Sequence, residues 1–377
     1  MKQGYRKLGD FIRQVDDRNK KLITKNVLGI NIDKHFMPSV ANVIGTDLSK
    51  YKLISKNRFA CNPMHVGRDE RLPIALYTAE EPSIVSPAYF MFEIVDIETL
   101  NPEYLMMWFR RPEFDRECWY YTDGSVRGGI TWDDLCRLEL PIPPMDKQLE
   151  IVKRYRNIEN RIELKKKIND NLEAQMRAFV ADYISKEEVH IIGKLKDYCT
   201  MQYGYTATAT YEPVGSKFLR ITDIAQRQID WSSVPYCSLS EENHSKYVLS
   251  KGDIVVARTG ATVGVAKMIG NHIPDAVFAS FLVRIRPIAP KYKYYFGICI
   301  TSPNFLEYVR NNAGGSAQPQ ANPPLLGEYE LIIPGKHLLR KLNIIISSFF
   351  DTIEQNEIEI TKLMETKNTM VDMLSSN

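Results

Sequence analysis

Displaced by 191 residues, this chain falls on itself. Tyr104 meets Tyr295, Pro112 meets Pro303 and Phe114 meets Phe305. Gly124-Ser125 meets Gly315-Ser316, and Leu135 meets Leu326. Leu138-Glu139-Leu140-Pro141-Ile142-Pro143 meets Tyr329-Glu330-Leu331-Ile332-Ile333-Pro334. A gapless register of this kind is the mark of duplication. The period is much longer than the repeats of solenoids and propellers; it is the length of a domain plus a helix. The chain must therefore fold as two similar bodies related by a pseudo-dyad, in effect a dimer fused into one polypeptide.

The clearest local signal lies at the end of each repeat. Ile151, Tyr155, Ile158, Ile162, Lys165, Asn169, Leu172, Met176, Phe179 and Tyr183 step alternately by four and three, which is a coiled-coil seam. The same register returns in Leu342, Ile346, Phe349, Ile353, Asn356, Ile360, Leu363, Lys367, Met370 and Leu374. The pattern predicts two long helices, with Asp146 as N-cap of the first after Pro143-Pro144. Two matched seams related by a dyad perpendicular to them predict an antiparallel pair with the globular parts at its ends. Polar seam positions such as Asn169 and Asn356 fix register at a cost in stability. Packing of each stripe on its own domain is the other reading.

The rest of each repeat carries short β-like runs, such as Asp253–Arg258 and Phe281–Ile285, between Gly, Pro and Asn punctuation. The predicted fold class is mixed α/β (α+β). It comprises a domain at 1–145, a helix at 146–189, a second domain at 190–335 and a second helix at 336–377.

Composition is that of a folded protein, 44% apolar and 25% charged. Six cysteines without a CxxC pair argue against a zinc ribbon or disulfide scaffold and suit a reducing, cytoplasmic setting. No apolar run is long enough for a membrane span, and no secretory signal is expected at the N-terminus. A net charge of +3 does not by itself indicate nucleic acid, so a DNA-binding face would have to arise from local clustering of basic groups.

The segment Ile130-Thr131-Trp132-Asp133-Asp134-Leu135, running on through Leu138–Pro143 into Pro144-Met145-Asp146-Lys147-Gln148-Leu149, resembles a junction found in specificity subunits of type I restriction-modification enzymes. There it joins a target-recognition domain to a long helix. Leu249-Ser250-Lys251-Gly252-Asp253-Ile254-Val255-Val256-Ala257-Arg258-Thr259-Gly260, followed by Gly264, is similar to the strand and glycine turn of those recognition domains. The second junction, Pro334-Gly335-Lys336-His337-Leu338-Leu339-Arg340, departs from the pattern of the first. The resemblance implies two recognition domains held by antiparallel helices, each reading half of a split, asymmetric double-stranded DNA target. It implies helices that dock two methyltransferase (modification) subunits, and motor-nuclease subunits that join through the complex. It implies no catalysis and no cofactor in this chain. Half-sites about one DNA turn apart, roughly 34–36 Å, would present their grooves on one face.

Base reading needs planar donors and acceptors on loops, and phosphates need Arg, Lys or backbone amides. The candidates in the first domain are Asn62, His65, Arg68, Tyr121, Ser125 and Arg127. In the second they are Arg220, Thr222, Arg258, Thr259, Arg310, Asn312, Ser316, Gln318 and Gln320. Catalytic signatures are missing. Asn322-Pro323-Pro324-Leu325 is one residue from the Asn-Pro-Pro-aromatic motif of adenine methyltransferases, but leucine stands where an aromatic would stack on a flipped base. No phosphate loop and no HExxH is present, and no metal site is expected. A non-DNA helical scaffold presenting two protein-binding modules is the alternative.

Overall fold

A computed structural model describes residues 4–40, 45–64, 66–122, 129–186, 191–226, 228–314 and 320–375. It divides into two compact units, residues 1–161 with 363–377, and residues 162–362.

In the first unit the chain forms β1 (Tyr5–Lys7), β2 (Ile12–Gln14), β3 (Val27–Ile30), β4 (Phe36–Pro38), β5 (Lys52–Ile54) and β6 (Arg58–Cys61). After α1 (Val66–Asp69) come β7 (Ile74–Leu76), β8 (Ser83–Val85) and β9 (Phe90–Ile94). Then follow α2 (Pro102–Phe109), α3 (Pro112–Tyr120), α4 (Trp132–Arg137), β10 (Glu139–Pro141) and the start of α5 (Met145–Ser185). One sheet has the order β2-β9-β6-β7, the other β4-β3-β8-β5, in which β3 and β8 run parallel. Strand β1 pairs antiparallel with β10, so the unit begins and ends side by side.

The second unit repeats this plan. It has β11 (Ile191–Lys194), β12 (Cys199–Tyr203), β13 (Ser216–Leu219), α6 (Ile221–Ile224), β14 (Tyr236–Cys237), α7 (Glu241–Tyr247) and β15 (Ile254–Ala257). These are followed by β16 (Ala266–Met268), β17 (Ala276–Phe278), β18 (Leu282–Pro287), α8 (Lys293–Ile300) and α9 (Pro303–Asn312). The last are α10 (Pro323–Gly327), β19 (Glu330–Ile333) and α11 (Lys336–Asp372). The sheet order β12-β18-β15-β16 and the parallel pair β13–β17 match the first unit, and β11 closes on β19.

Individual bonds repeat as well. Tyr104 Oη donates to the Pro141 carbonyl (3.1 Å), and Tyr295 Oη donates to the Ile332 carbonyl (2.8 Å). The Leu8 amide donates to the Leu138 carbonyl, and the Leu195 amide to the Tyr329 carbonyl. Pro112 and Pro303 each open a helix, where the missing N–H costs nothing. Aromatic rings fill the first core: Trp108 lies 5.2 Å from Phe114, and Phe59 stacks on Phe92 at 5.0 Å. Burying each such side chain contributes about 1.5–3 kcal/mol.

The long helices run antiparallel in both units. In the first, Ile151, Val152 and Tyr155 at the start of α5 share a core with Met370, Val371 and Leu374 at the end of the chain. In the second, Met176 and Val180 share a core with Leu342 and Ile346 at the start of α11. Val152 and Val180 are buried although they lie off the four-three list. A polar layer interrupts the seam of the second unit. Asn356 Nδ2 donates to Asn169 Oδ1 (2.7 Å), and Lys165 Nζ donates to Asn356 Oδ1 (2.7 Å) and pairs with Glu359 (2.9 Å). Both asparagines are buried. Asn356→Ala removes one partner from each of Asn169 and Lys165, and a loss of about 1–3 kcal/mol is expected in urea denaturation. A change below about 0.5 kcal/mol, the ordinary scatter of surface substitutions, would mean that the layer is wet.

Helix α5 starts two residues earlier than the cap assignment requires. Asp146 therefore sits inside the first turn, facing the positive end of the helix dipole, and is not the N-cap. At the first junction Gln148, fully buried, accepts from the Asn101 amide and donates to the Thr99 and Pro143 carbonyls. At the second, Leu339 is buried in an apolar core. The two junctions differ in sequence because one is held by hydrogen bonds and the other by packing.

Candidate nucleic-acid interface

In the second unit the interface candidates gather at the end of β15. Arg258 is the first residue beyond that strand. Its amide donates to the Phe281 carbonyl, and its own carbonyl accepts from the Ala321 amide (2.8 Å). Thr259 pairs with Gln320 in an isolated bridge, and Arg258 Nη2 donates to Gln320 Oε1 (3.3 Å). The guanidinium carbon lies 4.6 Å from the centre of the Tyr203 ring, at the end of β12. The turn that follows uses Gly260 (φ +77°) and Gly264 (φ +85°), the left-handed region that glycine enters freely. A Cβ on Gly264 would also press on Val309 of α9 at 3.0 Å. The Gln320 amide reaches the Ala313 carbonyl, which ties this cluster to the end of α9, where Arg310 and Asn312 are exposed. Ser316 and Gln318 lie outside the described residues.

Arg220 and Thr222 belong elsewhere. They follow β13 of the other sheet, and Arg220 donates through Nε (3.1 Å) and Nη2 (2.9 Å) to Asp223. That carboxylate neutralises the guanidinium and holds its proton more firmly. Thr222 is exposed.

In the first unit Asn62 takes the place of Arg258, just beyond β6, the counterpart of β15 in sheet order. Its Oδ1 accepts from the Met64 amide (3.2 Å). The Ile130 amide donates to the Pro63 carbonyl, much as Ala321 bonds Arg258. Tyr121 ends α3 with its ring 5.6 Å from Tyr120. Trp119, Tyr120 and Tyr121 are 46%, 81% and 41% exposed, an aromatic tip where the second unit carries Arg310-Asn311-Asn312. His65, Ser125 and Arg127, and the side chain of Arg68, lie outside the described residues. Sequence reasoning places Tyr120 with Tyr121 in a candidate loop but misses Trp119 and Tyr203. The adjacent Trp-Tyr-Tyr before a glycine-bearing loop was the available signal for Trp119; Tyr203 gave none.

Several enzyme-like features have structural explanations. Asn322 caps α10, its Oδ1 accepting from the Leu325 amide (2.9 Å), with Pro323 in the first turn. Thr131 does the same for α4 in the first unit, accepting from the Asp134 amide (3.1 Å). Asn-Pro-Pro-Leu is thus a helix start. Ser216 and His244 both bond Asp275 (2.6 Å each), so the carboxylate stands between hydroxyl and imidazole. In a Ser-His-Asp triad the imidazole contacts the hydroxyl, whereas here the carboxylate separates the two. The Asp275 carboxylate, opposed by burial, is held below the ordinary range by Ser216 and His244. Among the described residues no cluster of His, Cys, Asp and Glu could hold a metal, and no helix is long and apolar enough to cross a membrane.

Residues 5–174 match the family model described as the type I restriction modification DNA specificity domain. No curated protein matches the sequence. The fold is similar to that of the type I restriction-modification S subunit from M. genitalium, with 14% identity over 98% of this chain and 95% of that one and a TM-score of 0.56. Two further solved chains align over similar lengths. One is the HsdS subunit from Thermoanaerobacter tengcongensis, at 14% identity over 99% of this chain and 97% of that one, TM-score 0.37. The other comes from a study of complex assembly and conformational transition of the type I R-M system, at 15% identity over 99% and 97%, TM-score 0.45. The family match spans the first repeat and most of its helix, and the second repeat has the same four-stranded sheet order, a parallel strand pair in its other sheet and the same closing strands. Residues 5–174 thus carry the type I restriction modification DNA specificity domain, and the fold of the whole chain is similar to that of a type I restriction-modification S subunit.

Proposed function

We propose that residues 1–145 and 190–335 are two target-recognition domains, each reading one half of a bipartite, asymmetric double-stranded DNA sequence. The helices, 146–189 and 336–377, dock two methyltransferase subunits, and restriction or motor subunits join through that complex. The observation that carries this reading is a repeated frame bearing different planar side chains at equivalent, at least partly exposed positions. Asn62 stands opposite Arg258, and the aromatic tip at Trp119–Tyr121 stands opposite Arg310–Asn312. Half-sites of different sequence require such differences, while a shared frame keeps the mode of docking. In this reading Arg258, Gln320 and Asn312 offer the paired donors and acceptors that base edges match, and Arg310 lies where a phosphate would be met.

Mobility shift of the full chain, alone and with co-expressed methyltransferase subunits, tests the proposal. Sequence-selective binding that weakens linearly in log–log plots against salt is expected, because phosphate contacts release counterions. Arg310→Ala should weaken all sequences alike and lower the slope by about one unit. Selective capture of protein partners with no DNA binding under any of these conditions would favour the scaffold reading.

A further inference from the structure

Arg258 is unlike several other arginines of the chain. Arg13, Arg58, Arg137, Arg220 and Arg286 each face a carboxylate within ion-pair distance. Among the described residues Arg258 faces none. Its Nε is buried without an acceptor among the described residues, where its side chain makes one hydrogen bond, the long one from Nη2 to Gln320. A half-buried guanidinium without a counter-ion costs free energy, since burial of charge is tolerated when it is paired. Its orientation is nevertheless fixed. The Tyr203 ring lies under the guanidinium at 4.6 Å, a cation–π distance, and Gln320 holds one edge. The Ala321 amide pins the Arg258 backbone. The result is a planar fork with spare donors, held in place and, among the described residues, without a carboxylate to occupy it.

We infer that Tyr203 is a positioning residue that holds Arg258 to read a guanine in the half-site of the second recognition domain. The inference rests on the reading that this domain contacts DNA bases. A planar fork suits guanine, whose O6 and N7 both accept in the major groove; adenine offers a donor beside N7, and a guanidinium has no acceptor to meet it. Gln320 belongs to the same unit, because its amide group is a bidentate partner for adenine when released, and bonding it to Arg258 keeps the pair directed at guanine. Tyr203 acts through orientation: it fixes the plane of the fork so that less rotamer freedom is lost on binding. It is 40% exposed at the end of its strand, not part of the core.

The experiment is selection of duplexes from a library randomised in both halves, using the full chain with its methyltransferase subunits. Binding is then measured to the selected duplex and to a copy with 7-deazaguanine at each guanine of the second half. The parent protein is expected to select an invariant guanine there and to lose roughly 10- to 100-fold affinity when N7 of that base is removed. Arg258→Gln should lose the preference at that base pair and be insensitive to the deaza substitution. Tyr203→Leu should relax the same position, with every other position and the salt slope unchanged, and Tyr203→Phe should behave as the parent. A uniform loss of affinity across all sequences in Tyr203→Leu would overturn the positioning role, because a structural residue acts without regard to the base. Selection of a second half-site with no guanine sensitive to Arg258 would overturn the inference while leaving two-domain reading intact. Absence of any preference in that half in the parent would remove the reading beneath it. Thermal melting of each variant separates these results from misfolding.

Discussion

Asp115→Ala should destabilise the first unit by about 3–5 kcal/mol, the cost of leaving a buried charge without its partner. Lys34 Nζ donates to Asp115 (2.6 Å) and to the Leu72 carbonyl (2.9 Å), and its side chain is 5% exposed. Asp115 also accepts from the Leu72 amide (3.0 Å), so its removal strands two donors. Lys34 itself sits at φ +65°, a conformation that the surrounding bonds must hold. Burial pushes the Lys34 pKa down, and the Asp115 carboxylate pulls it back up. Without that carboxylate the folded-state pKa falls further below the unfolded one. The deficit is then fully present below the lowered folded-state pKa and shrinks as pH rises through it toward the ordinary lysine value of 10.5. Chemical denaturation at several pH values, followed by tryptophan fluorescence, measures both the loss and its sign. Lys34→Met combined with Asp115→Leu should cost much less than Asp115→Ala alone, because no charge is left buried. A loss under about 1 kcal/mol for Asp115→Ala, the level of an exposed pair, would show that water reaches the site.

Replacing residues 190–335 with the corresponding domain of another specificity subunit should change the preferred bases in one half of the target and leave the other half as it was. The expected change is large. Each mismatched base pair costs about 1–3 kcal/mol, roughly additively, so a half-site of three or four pairs shifts preference by several orders of magnitude. The boundaries suit such an exchange because β11 pairs with β19, which brings entry and exit of the domain together before α11 begins. Library selection before and after the exchange decides it. Change in both halves, or in neither, contradicts independent reading by the two domains.

The helices and the duplication were legible because their causes are local and periodic. Seam residues recur at a spacing that the α-helix imposes, and the caps at Thr131, Asn322 and Asn101 are short side chains just before helical runs. The two sheets within each unit were not. Their strands are only two to six residues long, and the parallel pairs β3–β8 and β13–β17 join segments far apart in sequence. Alternation over three residues does not identify a partner. The interface was half legible. Arg258 and Gln320 stood out as residue types on loops, but the Tyr203 ring beneath Arg258 comes from another strand and left no trace in the sequence. Arg220 carries the opposite lesson. Asp223, three residues on, occupies its guanidinium, a pairing that the spacing allowed and that a list of basic loop residues overlooks.

The substitution of Asn62 by Arg258 at equivalent points of one frame has a consequence for the target itself. Two identical subunits related by a two-fold axis present the same groups to both strands, and so favour sites that read alike from either end. Here the repeat keeps the backbone plan and not the side chains. In the proposed mode of reading, a site seen by this chain has a direction: one end belongs to the asparagine side and the other to the arginine side. Whatever is carried by the two helices then meets two inequivalent flanks of the duplex. The orientation of a site along a chromosome becomes information that a palindrome-reading dimer could not hold.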